Sequence, residues 1–170
     1  MKKGLQKPKN QQLIVLHIQG SHGPSYYKRY PQEFERFKPT CQTNQLEKCS
    51  QESLVNTYDN TLLYTDFILS KIIALLKQKQ DYQSTLLYVS DHGESLGENG
   101  IYLHGMPYPL APKEQTHVPM MFWSNDRQLM KKLDSKKDLE FSHDNIFHTI
   151  LGYFKVKTPL YDSTLDLLSN

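Results

Sequence analysis

Long apolar runs are missing from this sequence. A bilayer span takes about 20 consecutive apolar residues, and the longest run here is only a few. Met1-Lys2-Lys3 has no apolar segment behind it, so no signal peptide is expected. An excess of one charge is missing too. Lys+Arg 20 against Asp+Glu 18 leaves +2, which argues against a nucleic-acid partner. Cysteine is scarce: Cys41 and Cys49 stand eight positions apart in a polar stretch. That spacing is wider than the usual zinc spacing, and no second pair exists. A disulfide closing a short polar loop fits better and implies an oxidising compartment, while a reduced pair stays open. Aromatics are plentiful, with Tyr 11, Phe 7 and Trp 1, and with balanced charge they exclude disorder. At 170 residues the chain is one domain or part of one. It is long enough to bury about two-thirds of its unfolded surface.

Residues 1–10 are Lys/Gln/Asn-rich and read as a frayed lead-in. Leu13–Ile18 is apolar and β-branched, a buried strand by pattern, stopped by the turn-forming cluster 19–24. Residues 25–53 lack clean periodicity and read as a long loop with one short helix. Val55, Tyr58, Leu62, Leu69, Ile72, Ile73 and Leu76 recur at helical spacing, predicting a helix from near Ser53 into the polar run 77–80. Thr85–Val89 and Val118–Trp123 read as strands, the second at an edge or starting late because of Pro119. Asp144–Phe154 reads as a closing helix with Ser142 as its cap. Strands alternating with helices predict an α/β layered sandwich with a mainly parallel sheet. There is no internal repeat.

In such sheets function sits just past the strand ends. The first strand delivers His22; the second delivers Asp91, His92 and Glu94, with Gly93 letting the chain turn. A carboxylate plus an imidazole suits zinc. Taken alone, Asp91-His92-Gly93 reads first as an ordinary turn closing a strand, since tripeptides recur freely. His104 lies in a Gly/Pro-rich loop that suits the wall of a pocket, as a ligand of a second metal, a phosphate contact or a plain surface histidine. His117 reads as a packing histidine; His17, His143 and His148 are assigned to structure. Glu94 and Glu98 flank glycines and read as ligands, supporting partners or solvated carboxylates.

The combination is more specific than its pieces. Tyr88–Glu98 (YVSDHGESLGE) resembles the signature of the lipid A phosphoethanolamine transferases, which include the mobile colistin-resistance enzymes, within the sulfatase/alkaline phosphatase superfamily. The likeness extends to Leu103-His104-Gly105, to Gln115–Met120, to Leu16–Pro24 with Tyr26–Pro31, and to Leu54–Thr61. It implies an alkaline phosphatase/sulfatase-like fold and zinc as cofactor. It also implies transfer of phosphoethanolamine from phosphatidylethanolamine to lipid A through a phospho-threonine. Asp91 and His92 fall on the family's zinc pair, while His22, His104 and Glu94 fall among groups facing the phosphoryl or further zinc. Cys41–Cys49 falls on a periplasmic disulfide of that family.

The resemblance also sets what to expect of the chain's extent. The family's nucleophilic threonine and a further zinc-binding glutamate fall upstream of the segment matching Leu13, as do its membrane helices. Residues 1–170 are therefore expected to be the C-terminal portion of a sulfatase-like catalytic domain, incomplete in fold. In the full-length protein that domain stands at the periplasmic face of the inner membrane. The portion alone is expected to be inactive and to bind zinc weakly through two ligands, with exposed apolar sheet surface. A sulfatase- or phosphodiesterase-type hydrolase and a catalytically inactive truncated domain are the alternatives.

Overall fold

The computed structural model describes residues 11–169; the lead-in expected over residues 1–10 lies outside them. The described residues divide into two compact units, one holding 19–125 and the other 11–18 with 126–169.

The larger unit is built on helix α1, Gln51–Lys77. The Ser50 hydroxyl accepts from the Ser53 N–H and starts the helix just ahead of the periodic pattern. The face of α1 that is fully buried is largely polar: Ser53, Leu54, Thr57, Asn60, Thr61 and Thr65. Of the apolar positions that predict the helix, Leu62 is exposed and the rest are half-buried. The polar stripe has partners. Asn60 Oδ1 accepts from the N–H groups of Arg36 (2.8 Å) and Phe37 (2.9 Å). Its amide nitrogen donates to the Phe37 carbonyl. Thr57 Oγ1 accepts from Cys41 N–H at 2.6 Å. The helix thereby satisfies the backbone of a long loop that has no ladder of its own, which buried peptide groups require. That loop carries single 3-10 turns at Tyr26–Lys28, Gln32–Phe34 and Leu46–Lys48. It also carries the Cys41–Cys49 disulfide.

Four strands follow: β1 Thr85–Val89, β2 Ser95–Leu96, β3 Tyr102–Leu103 and β4 Met120–Ser124. β1 pairs antiparallel with β4, from Thr85 opposite Ser124 to Val89 opposite Met120. β2 pairs antiparallel with β3. The expected parallel sheet is therefore not formed among the described residues. β4 starts two residues later than predicted because Pro119 has no N–H for the ladder. A short helix α2, Lys113–Thr116, precedes it. The core joins Tyr26, Cys41, Leu46, Leu54 and Leu96, with Tyr58, Tyr102 and Leu103 packed against it.

The smaller unit holds α3, Arg127–Asp134, and α4, Asp144–Tyr153. α3 is absent from the sequence reading, although Asp126 caps it by accepting from Gln128 and Leu129 N–H. The N-cap of α4 is His143, not Ser142; the Ser142 hydroxyl accepts from the Asp144 N–H. Lys132 and Lys136 donate to the carbonyls of Leu168, Leu167 and Ser169 and hold the last residues down. The strand expected at Leu13–Ile18 is not formed. The side chains of Leu13, Ile14, Val15 and Leu16 are 38–79% exposed. An isolated extended run pairs its peptide groups with water, and a strand needs neighbours to persist.

Candidate metal centre

The turn from β1 to β2 carries Asp91, His92 and Glu94. The loop ahead of Tyr26 carries His22, and His104 follows β3 directly. Three separate segments thus converge. One nitrogen each of His22, His92 and His104 lies within 4.8 Å of the other two. The ring centroids of His92 and His104 stand 3.8 Å apart, and those of His22 and His104 stand 5.0 Å apart.

Each imidazole is held by its Nδ1. His22 Nδ1 sits 2.7 Å from the Gly23 carbonyl and His92 Nδ1 2.9 Å from the Gly93 carbonyl. His104 Nδ1 sits 3.2 Å from Glu94 Oε1. All three partners are acceptors, so Nδ1 carries the hydrogen and, in the neutral ring, Nε2 carries the lone pair. An outer oxygen fixing the tautomer of a ligating imidazole is the usual second layer of a metal site. Asp91 Oδ1 lies 3.9 Å from His92 Nε2, on a carboxylate that is 80% exposed. Three imidazole lone pairs and an adjacent carboxylate are a donor set that fits zinc.

Glu94 is placed differently from the histidines. Its side chain is 3% exposed. Oε1 accepts from Gly23 N–H at 3.1 Å and Oε2 accepts from the Tyr26 hydroxyl at 3.1 Å. With His104, both carboxylate oxygens are taken by the protein itself. Burial first, and then the charge of Glu94, pushes the Tyr26 phenol far above the usual tyrosine range, so it donates as a neutral hydroxyl. Tyr58 is pushed up by burial and Glu94 in the same way.

Two glycines allow this packing. A Cβ on Gly93 would stand 2.0 Å from the Glu114 carbonyl oxygen. Its absence lets α2 support the turn, with Gly93 N–H donating to the Gln115 carbonyl at 2.9 Å. A Cβ on Gly23 would stand 2.5 Å from Leu103 and 2.7 Å from the Tyr26 hydroxyl. Gln115 also donates to the buried Ser95 hydroxyl.

The structure therefore gathers His22, His92 and His104, sets Asp91 beside them and Glu94 beneath. From sequence, Asp91 and His92 were expected as the metal pair, with His22, His104 and Glu94 facing the phosphoryl group or further zinc; the structure brings the three histidines together. Glu98 accepts from Leu96 N–H within its own turn. His117 is exposed instead of packed, and His148 accepts from Asp162 N–H in the other unit. Sequence reasoning gave no individual role to Tyr26, Gln115 or Arg29, whose Nε donates to the His22 carbonyl at 2.7 Å. The segments Tyr26–Pro31 and Gln115–Met120, which carry part of the resemblance, were the signal for them.

Three imidazoles gathered in this way form a candidate metal centre. The chain belongs to the sulfatase family, whose model matches residues 1–156, and its fold is of the alkaline phosphatase/sulfatase type. It is 53% identical over 164 residues to phosphoethanolamine transferase EptA of Salmonella typhimurium, covering 92% of this chain and 30% of that protein. To phosphatidylethanolamine transferase Mcr-2 of Escherichia coli it is 51% identical over 145 residues, covering 85% of this chain and 26% of that protein. The crystal structure of the C-terminal periplasmic domain of phosphoethanolamine transferase EptC from Campylobacter jejuni superposes with TM-score 0.97 at 62% identity. That match covers 99% of this chain and 55% of that one. The chain thus spans less than a third of the length of the curated relatives it matches.

Proposed function

We propose that the chain is part of a zinc-dependent transferase that moves phosphoethanolamine from phosphatidylethanolamine to lipid A at the periplasmic face of the inner membrane. The observation that carries this reading is the convergence of His22, His92 and His104, one nitrogen of each within 4.8 Å of the others, with every ring tied through Nδ1 to a protein oxygen. The transferase names of the relatives support the reaction class. The periplasmic domain from Campylobacter and the Cys41–Cys49 bridge support the oxidising compartment.

In this reading Asp91 and His92 hold one zinc, while His22 and His104 hold a further ion or face the phosphoryl oxygens. Zinc supplies Lewis acidity and a lowered pKa for the attacking hydroxyl. Glu94 orients His104 and fixes the Gly23–Tyr26 segment that delivers His22. The nucleophilic threonine belongs to the longer protein outside residues 1–170, as do the membrane helices. The mainly parallel sheet is part of the same proposal. Leu13, Ile14, Val15 and Leu16 are exposed, as in a strand without its neighbours.

Zinc titration by calorimetry tests the site. Asp91→Ala and His92→Ala should each weaken binding beyond the roughly 10–100-fold effect of losing an outer partner. Unchanged zinc affinity in both would overturn the assignment. The full-length protein, given phosphatidylethanolamine and lipid A, should yield lipid A heavier by one phosphoethanolamine. Release of free phosphoethanolamine without modified lipid A would make it a hydrolase of the same family, and no turnover would favour the inactive domain.

A further inference from the structure

Directly after His104 comes Gly-Met-Pro-Tyr-Pro-Leu-Ala-Pro, residues 105–112, without an Asp, Glu, Lys, Arg or His. Tyr108 is 82% exposed, Leu110 70% and Met106 36%. One exposed apolar side chain is ordinary on any surface, but three in an uncharged segment of eight form a patch. Pro107, Pro109 and Pro112 fix the backbone, so these side chains are held in solvent by a stiff support.

The backbone is also prepared to leave water. The three prolines have no N–H. Leu110 N–H donates to the Pro107 carbonyl at 2.8 Å. Ala111 N–H donates to the carbonyls of Pro107 and Tyr108. Inside a bilayer a peptide group needs an internal partner, and around Leu110 and Ala111 the loop supplies one. Tyrosine beside aliphatic side chains suits the boundary between headgroups and acyl chains. Exposed Lys113 at the downstream end suits lipid phosphate. Tyr108 stands four positions after His104, a reach of at most about 14 Å, enough to cross a headgroup layer of about 5–8 Å.

We infer that the loop 105–112 is an interfacial lipid anchor. Tyr108 and Leu110 enter the headgroup boundary of a bilayer and bring the histidine cluster to lipid-borne phosphate. The inference rests on the lipid-substrate reading above and adds to it how the site meets its substrate layer.

Flotation of the 170-residue chain with vesicles of phosphatidylethanolamine and phosphatidylglycerol tests it, with the disulfide intact. The wild-type chain should float. The double variant Tyr108→Ser, Leu110→Ser should lose vesicle binding by about tenfold or more, since both buried apolar surfaces are removed. Tyr108→Trp should retain binding. Both substitutions are at exposed positions, and unchanged zinc affinity and circular dichroism of the double variant report that site and fold are intact. A wild-type chain that stays unbound overturns the anchor, and so does a double variant that floats equally well. Self-association in the absence of lipid that disappears in the double variant would assign the patch to a second copy and also overturns it. Zinc titration is read separately, so a failed anchor and a failed metal site are distinguishable.

Discussion

Glu94 Oε1 lies 3.2 Å from His104 Nδ1, and the same oxygen accepts the Gly23 N–H. One buried carboxylate therefore positions two of the three segments that carry the histidines. Glu94→Gln keeps the shape but removes the charge, and zinc affinity should fall by about 10–100-fold with the fold retained. Glu94→Ala also strands the buried Tyr26 hydroxyl, at about 1–3 kcal/mol. Calorimetry reads the first effect and urea unfolding the second. Full zinc affinity in both variants would show that His104 needs no such support.

Gly93→Ala should damage site and stability together. Its methyl group would meet the Glu114 carbonyl oxygen at 2.0 Å, so either α2 or the Asp91–His92 turn must move. Overpacking of this kind costs about 1–3 kcal/mol. The thermal midpoint should fall and zinc binding weaken; an unchanged melt would show that the turn is free to shift.

Asn60→Ala should rank among the most destabilising single changes in α1 despite deleting a polar side chain. It leaves the Arg36 and Phe37 N–H groups and the Phe37 carbonyl without their partner. The loss should be about 2–4 kcal/mol in urea unfolding, depending on how far water replaces the amide. Leu62→Ala, on the exposed side of the same helix, should cost far less.

Replacing Cys41 and Cys49 by serine opens a loop closed at a separation of 8 residues. The chain-entropy argument gives a loss of about 2–3 kcal/mol. Reduction of the wild-type chain should lower the unfolding midpoint to that of the double serine variant. A reduced chain as stable as the oxidised one would count against the entropic account.

Stability should also fall at alkaline pH. Tyr26 holds its proton in the folded chain well above the value near 10 at which an unfolded tyrosine ionises. Its contribution is complete below that pH and drains away as pH rises above it, because the unfolded chain then binds fewer protons. Tyr58 and Tyr88, both also raised by burial, act in the same direction. Unfolding followed from pH 8 to 11 should show a shallower decline in Tyr26→Phe than in the wild type. Equal slopes would assign the decline to other groups.

Much of the site was legible in the residues. Asp91, His92, Glu94 and His104 stand close together in the chain, and local spacing with turn-forming glycines suffices to mark them. α1 was legible because 27 residues leave room for a clear period. The outward placement of its Leu62 was not, since the buried stripe is polar and was chosen by loop carbonyls and amides far away in sequence. α3 was hidden by its length of 8 residues and its lysines. Leu13–Ile18 shows the opposite limit: pattern registers a strand, while strand formation depends on a neighbour to pair with.

By itself the sequence determined the family and the chemistry available past the strand ends, which depend on residue identity and short spacing. Spacing left the Cys41–Cys49 pair open; the family resemblance implied the bridge that the structure contains. Only the tertiary structure decided that His22, some 70 positions before His92, joins it and His104. It also decided that Glu94 turns inward to hold them and that the strand pairs present are antiparallel. Those outcomes follow from long-range packing and from the need of every buried polar group for a partner, which no local pattern encodes.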